Sequence, residues 1–210
     1  MADGSQGLLL LGGEGPRRDQ LEEVLRTAGL VIAADSGFDL ALSLGLQPDL
    51  LVGDLDSVAD SRELAAFPPE RIRRFPRDKD QTDAELGLSL FAERGFRKVV
   101  LAGGGGGRLD HLLAVAALFE RDWPPAAWYT ALECVQRIDG EAVLAGCRGL
   151  RVSFFPLGGP AGGLSSAGRK WPLDGLEWAR GYGGVSNLVT GDPARVRVRR
   201  GSLLMIRELA

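Results

Sequence analysis

The segment spanning residues 31–57, VIAADSGFDLALSLGLQPDLLVGDLDS, constrains the chain more than any other. It holds two short apolar runs, 31–34 and 50–52, flanked by glycine and proline and of the length of buried strands. The first ends in Asp35, the second in Asp54 and Asp56. Successive parallel strands end at one rim of their sheet, which is where open α/β folds bind ligands. Carboxylates crowded there repel one another and are costly to desolvate unless a cation joins them. Helix capping would account for any one of these aspartates; the GDLDS cluster as a unit points to a metal.

The rest of the first 130 residues repeats the strand–helix alternation. Residues 8–11 form an apolar run leading into Gly12, Gly13, Glu14 and Gly15, a loop in which backbone can approach phosphate closely, although it lacks the ending of a Walker loop. A helix is expected from Asp19 through Ala28, and another around residues 38–44. A short helical segment near 61–66 and an edge-like strand over 71–75 follow. Thr82 is a suitable N-cap for a helix carrying Leu86, Leu90 and Phe91, which Gly87 weakens. Asp78, Asp80 and Asp83 cluster at that helix start, more acids than one cap requires. Residues 98–102 read as a strand that ends in five consecutive glycines, 103–107. Such a run is entropically wasteful unless the backbone turns tightly or admits a ligand. Arg108, with a donor fork suited to phosphate oxygens, follows it, and a helix begins near Asp110 or His111. His111 reads equally as a helix-start residue satisfying loop carbonyls and as a catalytic group.

Residues 126–130 are expected to be the last parallel strand. Beyond them short β-like runs replace helices, over 133–138, 141–144, 150–155, 195–199 and 202–206, and Arg200-Gly201 suggests a hairpin between the last two. The fold class is thus an α/β N-terminal domain with a mostly parallel sheet, residues 1–130, followed by an all-β sandwich, residues 131–210. Trp171, beside Pro172, reads as an exposed flat face for a ring, whereas Trp178 reads as core.

A net charge of −3 argues against a nucleic-acid-binding surface. A single histidine excludes His-rich zinc chemistry, and Cys134 and Cys147 are spaced unlike a metal motif and read as reduced thiols in a cytoplasmic protein. No run is long enough to span a membrane, and none resembles a signal peptide. Acids at successive strand ends, two glycine-rich loops and one arginine suit a nucleoside triphosphate with Mg²⁺. A nucleotide-redox domain fits worse, because no GxGxxG opens a helix after the first strand.

Six motifs in order resemble the thiamine pyrophosphokinase (thiamine diphosphokinase) family. They are AADSG at 33–37, PDLLVGDLDS at 48–57, DQTD at 80–83 preceded by Asp78, GGRLDH at 106–111, KWPL at 170–173 and Ser186-Asn187. The resemblance implies transfer of pyrophosphate from ATP to the thiamine hydroxyl, leaving AMP, by a homodimer with its active sites at the subunit interface. It implies that Asp54, Asp56, Asp80 and Asp83 surround Mg²⁺ and the pyrophosphate, with Asp35 nearby. Arg108 and Asp110 would place the nucleotide, with Thr82 and His111 in the same motifs. Trp171 would stack on thiamine, and Ser186 and Asn187 would line its pocket. Asp54, Asp56, Asp83 and Arg108 are the catalytic candidates, while Lys79 has no assigned role and Arg169 stands where an apolar residue is more usual. Two alternatives remain at this point: a pyrophosphokinase for another heterocyclic alcohol such as a pterin carbinol, and a nucleotide-binding regulator without catalysis.

Overall fold

The computed structural model describes residues 6–76, 78 and 80–210; Lys79 lies outside the described residues. The chain forms two compact units. One comprises the residues through Val115 with Pro125–Ala131, and the other comprises Ala116–Pro124 with Leu132–Ala210.

The first unit is built from β1 (Gln6–Leu11), α1 (Glu22–Thr27), β2 (Ala28–Ala34), α2 (Gly37–Ser43), β3 (Leu50–Gly53), α3 (Ser61–Ala66), β4 (Ile72–Arg74), α4 (Asp83–Glu93), β5 (Val99–Gly103), most of α5 (Leu109–Ala117) and β6 (Ala127–Tyr129). All five strand pairings are parallel, in the order β6-β5-β1-β2-β3-β4. Strand β1 is buried along its whole length, as a central strand covered on both faces should be. The order reverses between β1 and β5, so the loops after these two strands, both glycine-rich, flank the switch point at the strands' carboxyl ends. Helix α4 packs closely on β1 because two glycines lack side chains. A Cβ on Gly87 would lie 2.5 Å from Leu9, and one on Gly7 would lie 2.3 Å from the Phe91 ring. Gly87, which costs the helix propensity, is thus what lets it dock. The expected long helix from Asp19 instead begins as a single 3₁₀ turn, Asp19–Leu21, and α1 ends at Thr27 because β2 already starts at Ala28.

The second unit contains β7 (Glu133–Ile138), β8 (Glu141–Leu144), β9 (Arg151–Gly162), β10 (Ser165–Ala167), β11 (Gly184–Leu188), β12 (Ala194–Arg197) and β13 (Arg200–Glu208). Antiparallel pairing gives one sheet ordered β11-β9-β13-β7 and another ordered β10-β12-β8. A single apolar core including Phe154, Leu164, Trp178, Val196 and Leu203 unites residues of both sheets. The expected hairpin at Arg200-Gly201 does not form. Strand β12 pairs with β8 and β10, whereas β13 pairs with β7 and β9. The chain crosses from one sheet to the other there, because Val196 and Val198 both bury their side chains in the core. Strands β10 and β11 were not foreseen; both are short and carry Ser, Gly and Asn, which lack a strand signature.

Candidate active site

The acidic rim is assembled from strand ends. Asp35 follows β2, Asp54 follows β3, and the backbone N–H of Asp35 donates to the Val52 carbonyl at 2.7 Å, tying the two ends together. Asp35 and Leu55 both have positive φ, 49° and 63°. Aspartate tolerates this region, but a bulky residue such as leucine does so only under constraint, and such strain gathers at functional sites. Leu55 buries its side chain, anchoring the loop so that Asp54 and Asp56 stand on either side of it. One carboxylate oxygen from each of Asp35, Asp54 and Asp56 lies within 4.8 Å of the others.

Ser57 Oγ lies 2.7 Å from Asp35 Oδ2 and 3.0 Å from Asp56 Oδ1, so a single hydroxyl proton is shared between two carboxylates. Asp35 Oδ1 is buried and has no hydrogen-bond partner among the described residues. Burial pushes the Asp35 carboxyl above its ordinary pKa; the Ser57 bond opposes this, and the charges of Asp83, Asp54 and Asp56 add to it. Asp83, at the start of α4, reaches the same place. A Cβ on Gly53, whose φ is +132°, would lie 3.2 Å from Asp83 Oδ1 and 3.3 Å from Asp35 Cβ. Glycine at 53 leaves that space to the two acids.

Thr82 caps α4 in a full capping box. Its Oγ1 accepts from Glu85 N at 3.3 Å, and its own N–H donates to Glu85 Oε2 at 2.7 Å. Asp80 is exposed and outside the tight group of three. Asp39 was not singled out from sequence, yet its carboxylate accepts from Ala59 N at 3.0 Å and Asp60 N at 3.3 Å, holding the loop that follows Asp56. An aspartate in the first turn of a helix is a weak signal for such a brace. Ser57 could have been found, since it belongs to the GDLDS motif.

The two glycine-rich loops are fastened to each other. Glu14 and Gly105 exchange backbone hydrogen bonds of 2.8 and 2.9 Å, and Gly104 N donates to Gly12 O at 3.0 Å. Positive φ at Gly103, Gly104 and Gly106 (+98°, +73° and +66°) explains most of the run. Beyond it, Arg108 forms a fork with Asp110, Nε to Oδ1 at 3.1 Å and Nη2 to Oδ2 at 2.5 Å, with both side chains exposed. The pairing raises the arginine's pKa and lowers the carboxyl's. His111 is exposed, and its backbone N–H donates to Asp110 Oδ1 at 3.0 Å.

In the second unit Trp171 is 53% exposed, with Lys170 Nζ 4.6 Å from its ring centre. Asn187 is buried against the Trp171 main chain, while Ser186 is exposed with φ 56°. Arg169 is buried with its guanidinium 4.5 Å from the centre of the Phe154 ring and, among the described residues, no hydrogen-bond partner for any of its three nitrogens. Trp178 packs in the core, as expected.

Comparisons with known proteins agree on both halves. The family profile for the catalytic domain of thiamin pyrophosphokinase matches residues 21–122, and that for its vitamin B1 binding domain matches residues 146–203. The fold is similar to thiamine pyrophosphokinase from Bacillus subtilis, with TM-score 0.79 and 23% identity over 98% of this chain and 100% of that one. It is also similar to the Geobacillus thermodenitrificans protein (0.77, 24%, 98% and 98%) and to that of Candida albicans (0.73, 17%, 100% and 90%). No curated protein sequence gives a significant match. With an acidic rim at the strand ends of the α/β unit and the two thiamin pyrophosphokinase profiles covering most of the chain in order, this protein belongs to the thiamin pyrophosphokinase family and is an ATP-dependent thiamine diphosphokinase.

Proposed function

We propose that the protein makes thiamine diphosphate at the acidic rim with Mg²⁺ held by Asp35, Asp54 and Asp56, and with Asp83 beside them. The observation that carries this reading is the gathering of one carboxylate oxygen from each of Asp35, Asp54 and Asp56 within 4.8 Å, with Asp35 Oδ1 buried and lacking a hydrogen-bond partner among the described residues. Hard carboxylate oxygens brought this close suit a divalent cation, and a cation would offset the burial and the neighbouring negative charges that together raise the Asp35 pKa. Asp35 therefore moves from a neighbour of the metal set into it, while exposed Asp80 is assigned to the nucleotide side. When bound, Mg²⁺ supplies charge neutralisation and polarises the phosphorus under attack. Asp54, Asp56 and Asp83 are the candidate acceptors for the proton of the thiamine hydroxyl. Arg108, pre-oriented by Asp110, is proposed to bind phosphate oxygens, with His111 at the same helix start. Thr82 acts through the α4 cap that sets Asp83 in place. Trp171 is proposed to stack on thiamine, with exposed Ser186, the chain neighbour of Asn187, lining the pocket.

Residues 1–130 are proposed as the catalytic domain and 131–210 as the vitamin-binding one, a division supported by the ranges of the two profiles. We take the working form to be a cytoplasmic homodimer with its active sites at the subunit interface. Two reduced, buried cysteines suit the cytoplasm, and exposed leucines on α5 suit association. No helix among the described residues is long and apolar enough to cross a membrane.

Purified protein given ATP, Mg²⁺ and thiamine should yield thiamine diphosphate and AMP, and EDTA should stop turnover. Mg²⁺ alone should raise the thermal midpoint of the wild type but not of Asp54→Asn, which should fold and be nearly inactive. Turnover in EDTA, or an unchanged midpoint in the wild type, would refute the metal assignment.

A further inference from the structure

The Ser186-Asn187 pair divides its labour. Strand β11 carries a register shift between Gly184 and Asn187, and within this irregularity Ser186 adopts φ 56°. A bulge of this kind re-aims side chains. Here it leaves Val185 and Ser186 exposed and turns Asn187 inward, to 6% exposure. The segment entering Trp171 runs antiparallel beside the end of β11. Arg169 bridges Val189, and Lys170 N donates to Leu188 O at 2.9 Å. Continuing that register brings Trp171 opposite Asn187. There the backbone ladder is replaced by a side chain: Trp171 N donates to Asn187 Oδ1 at 3.2 Å, and Asn187 Nδ2 donates to Trp171 O at 2.6 Å. Both main-chain groups of Trp171 are thus held by one planar amide. Pro172 follows immediately, restricting Trp171 to extended backbone.

We propose that Asn187 is a positioning residue that fixes the Trp171 indole for stacking, and that it does not bind thiamine itself. The proposal rests on the reading of Trp171 as the stacking residue. A buried amide whose oxygen and nitrogen both serve the same main chain already has one acceptor and one donor direction committed to holding that chain. Its removal leaves an N–H and a C=O unpaired where the chain must hold an aromatic ring still, and loss of that order weakens stacking without touching the phosphate chemistry.

The test is a double-mutant cycle in the full-length protein, read as KM for thiamine, KM for ATP and kcat. Trp171→Ala should raise the thiamine KM about tenfold or more. Asn187→Ala should raise it in the same direction, with kcat and the ATP KM within about twofold of wild type. On the Trp171→Ala background, Asn187→Ala should add no more than about a further twofold. Asn187→Asp keeps the size and the acceptor but loses the donor, and it provides the same comparison if the alanine variant does not fold. A full additional loss on the Trp171→Ala background would mean a separate contact with thiamine and would overturn the proposal. An unchanged thiamine KM in Asn187→Ala would overturn it as well. An unchanged thiamine KM in Trp171→Ala would instead defeat the stacking assignment, and the proposal with it.

Discussion

Arg169 places a guanidinium in the core of the second unit, over Phe154 and without a hydrogen bond among the described residues. Burial lowers its pKa to about 10, and the charge of Asp174 acts the other way. For a base, a folded-state value below the unfolded one means the charged form is penalised by folding. The penalty is complete below about pH 10 and fades as pH rises from there toward the ordinary range of an exposed arginine. At neutral pH it therefore applies in full, offset in part by the attraction between guanidinium and ring. Methionine has similar reach and packs well on aromatic rings. Arg169→Met is expected to raise stability by about 1–4 kcal/mol near pH 7.5, in the range found when buried charges are replaced by apolar residues. Urea denaturation measures this, and a lower midpoint with an unchanged slope would show that the charge stabilises the fold. The acids of the rim present the same physics with a different outcome. Asp35 also has its charged form disfavoured by burial, but it faces other carboxylates rather than a ring.

Among the elements, α4 connects folding to the site. Its capping box is local, readable in T-x-x-E, and it determines where the helix begins and hence where Asp83 stands. Thr82→Ala should cost about 1 kcal/mol of stability, and Thr82→Ser should recover most of it. Because the hydroxyl serves the cap, the ATP KM of Thr82→Ala should stay within about twofold of wild type. A large rise in that KM at unchanged stability would return Thr82 to the nucleotide site. The glycine-rich loops show the opposite case, where composition hid the reason. Gly103 has φ +98°, and a Cβ there would lie 2.1 Å from Leu11 O, while Glu14 and Gly105 pair directly. Close approach of two backbones, rather than of backbone and phosphate alone, accounts for these glycines.

At the scale of the molecule, α5 is the element whose surface a single chain leaves unexplained. Leu109 and Leu113 lie one helical turn apart and are 69% and 61% exposed. Apolar residues spaced this way form a stripe, and a stripe left in water marks an association surface more often than a tolerated defect. If the homodimer uses it, Leu109→Asp with Leu113→Asp should convert a dimer to monomer in size-exclusion chromatography with light scattering and should lower activity along with it. A variant that remains dimeric would place the interface elsewhere.

The local rules written in the chain were enough for much of this protein. Apolar runs of strand length ending in acids gave the parallel sheet and its acidic rim, and the Thr82 cap and the texture change after residue 130 were equally plain, because each depends on neighbours within a few positions. What depends on distant partners was decided only in three dimensions. The 200–201 turn looked like a hairpin, but burial of Val196 and Val198 sends the two strands into different sheets. Ser57, next to Asp56, also donates to Asp35, 22 positions before it in the chain, a link that no local rule predicts. Asn187 is legible as a site residue, but the hold of its amide on the main chain of Trp171, 16 positions away, is visible only in the fold. Sequence names the groups that a site requires; their hydrogen-bond partners, and so their separate tasks, follow from which strands the packed core brings side by side.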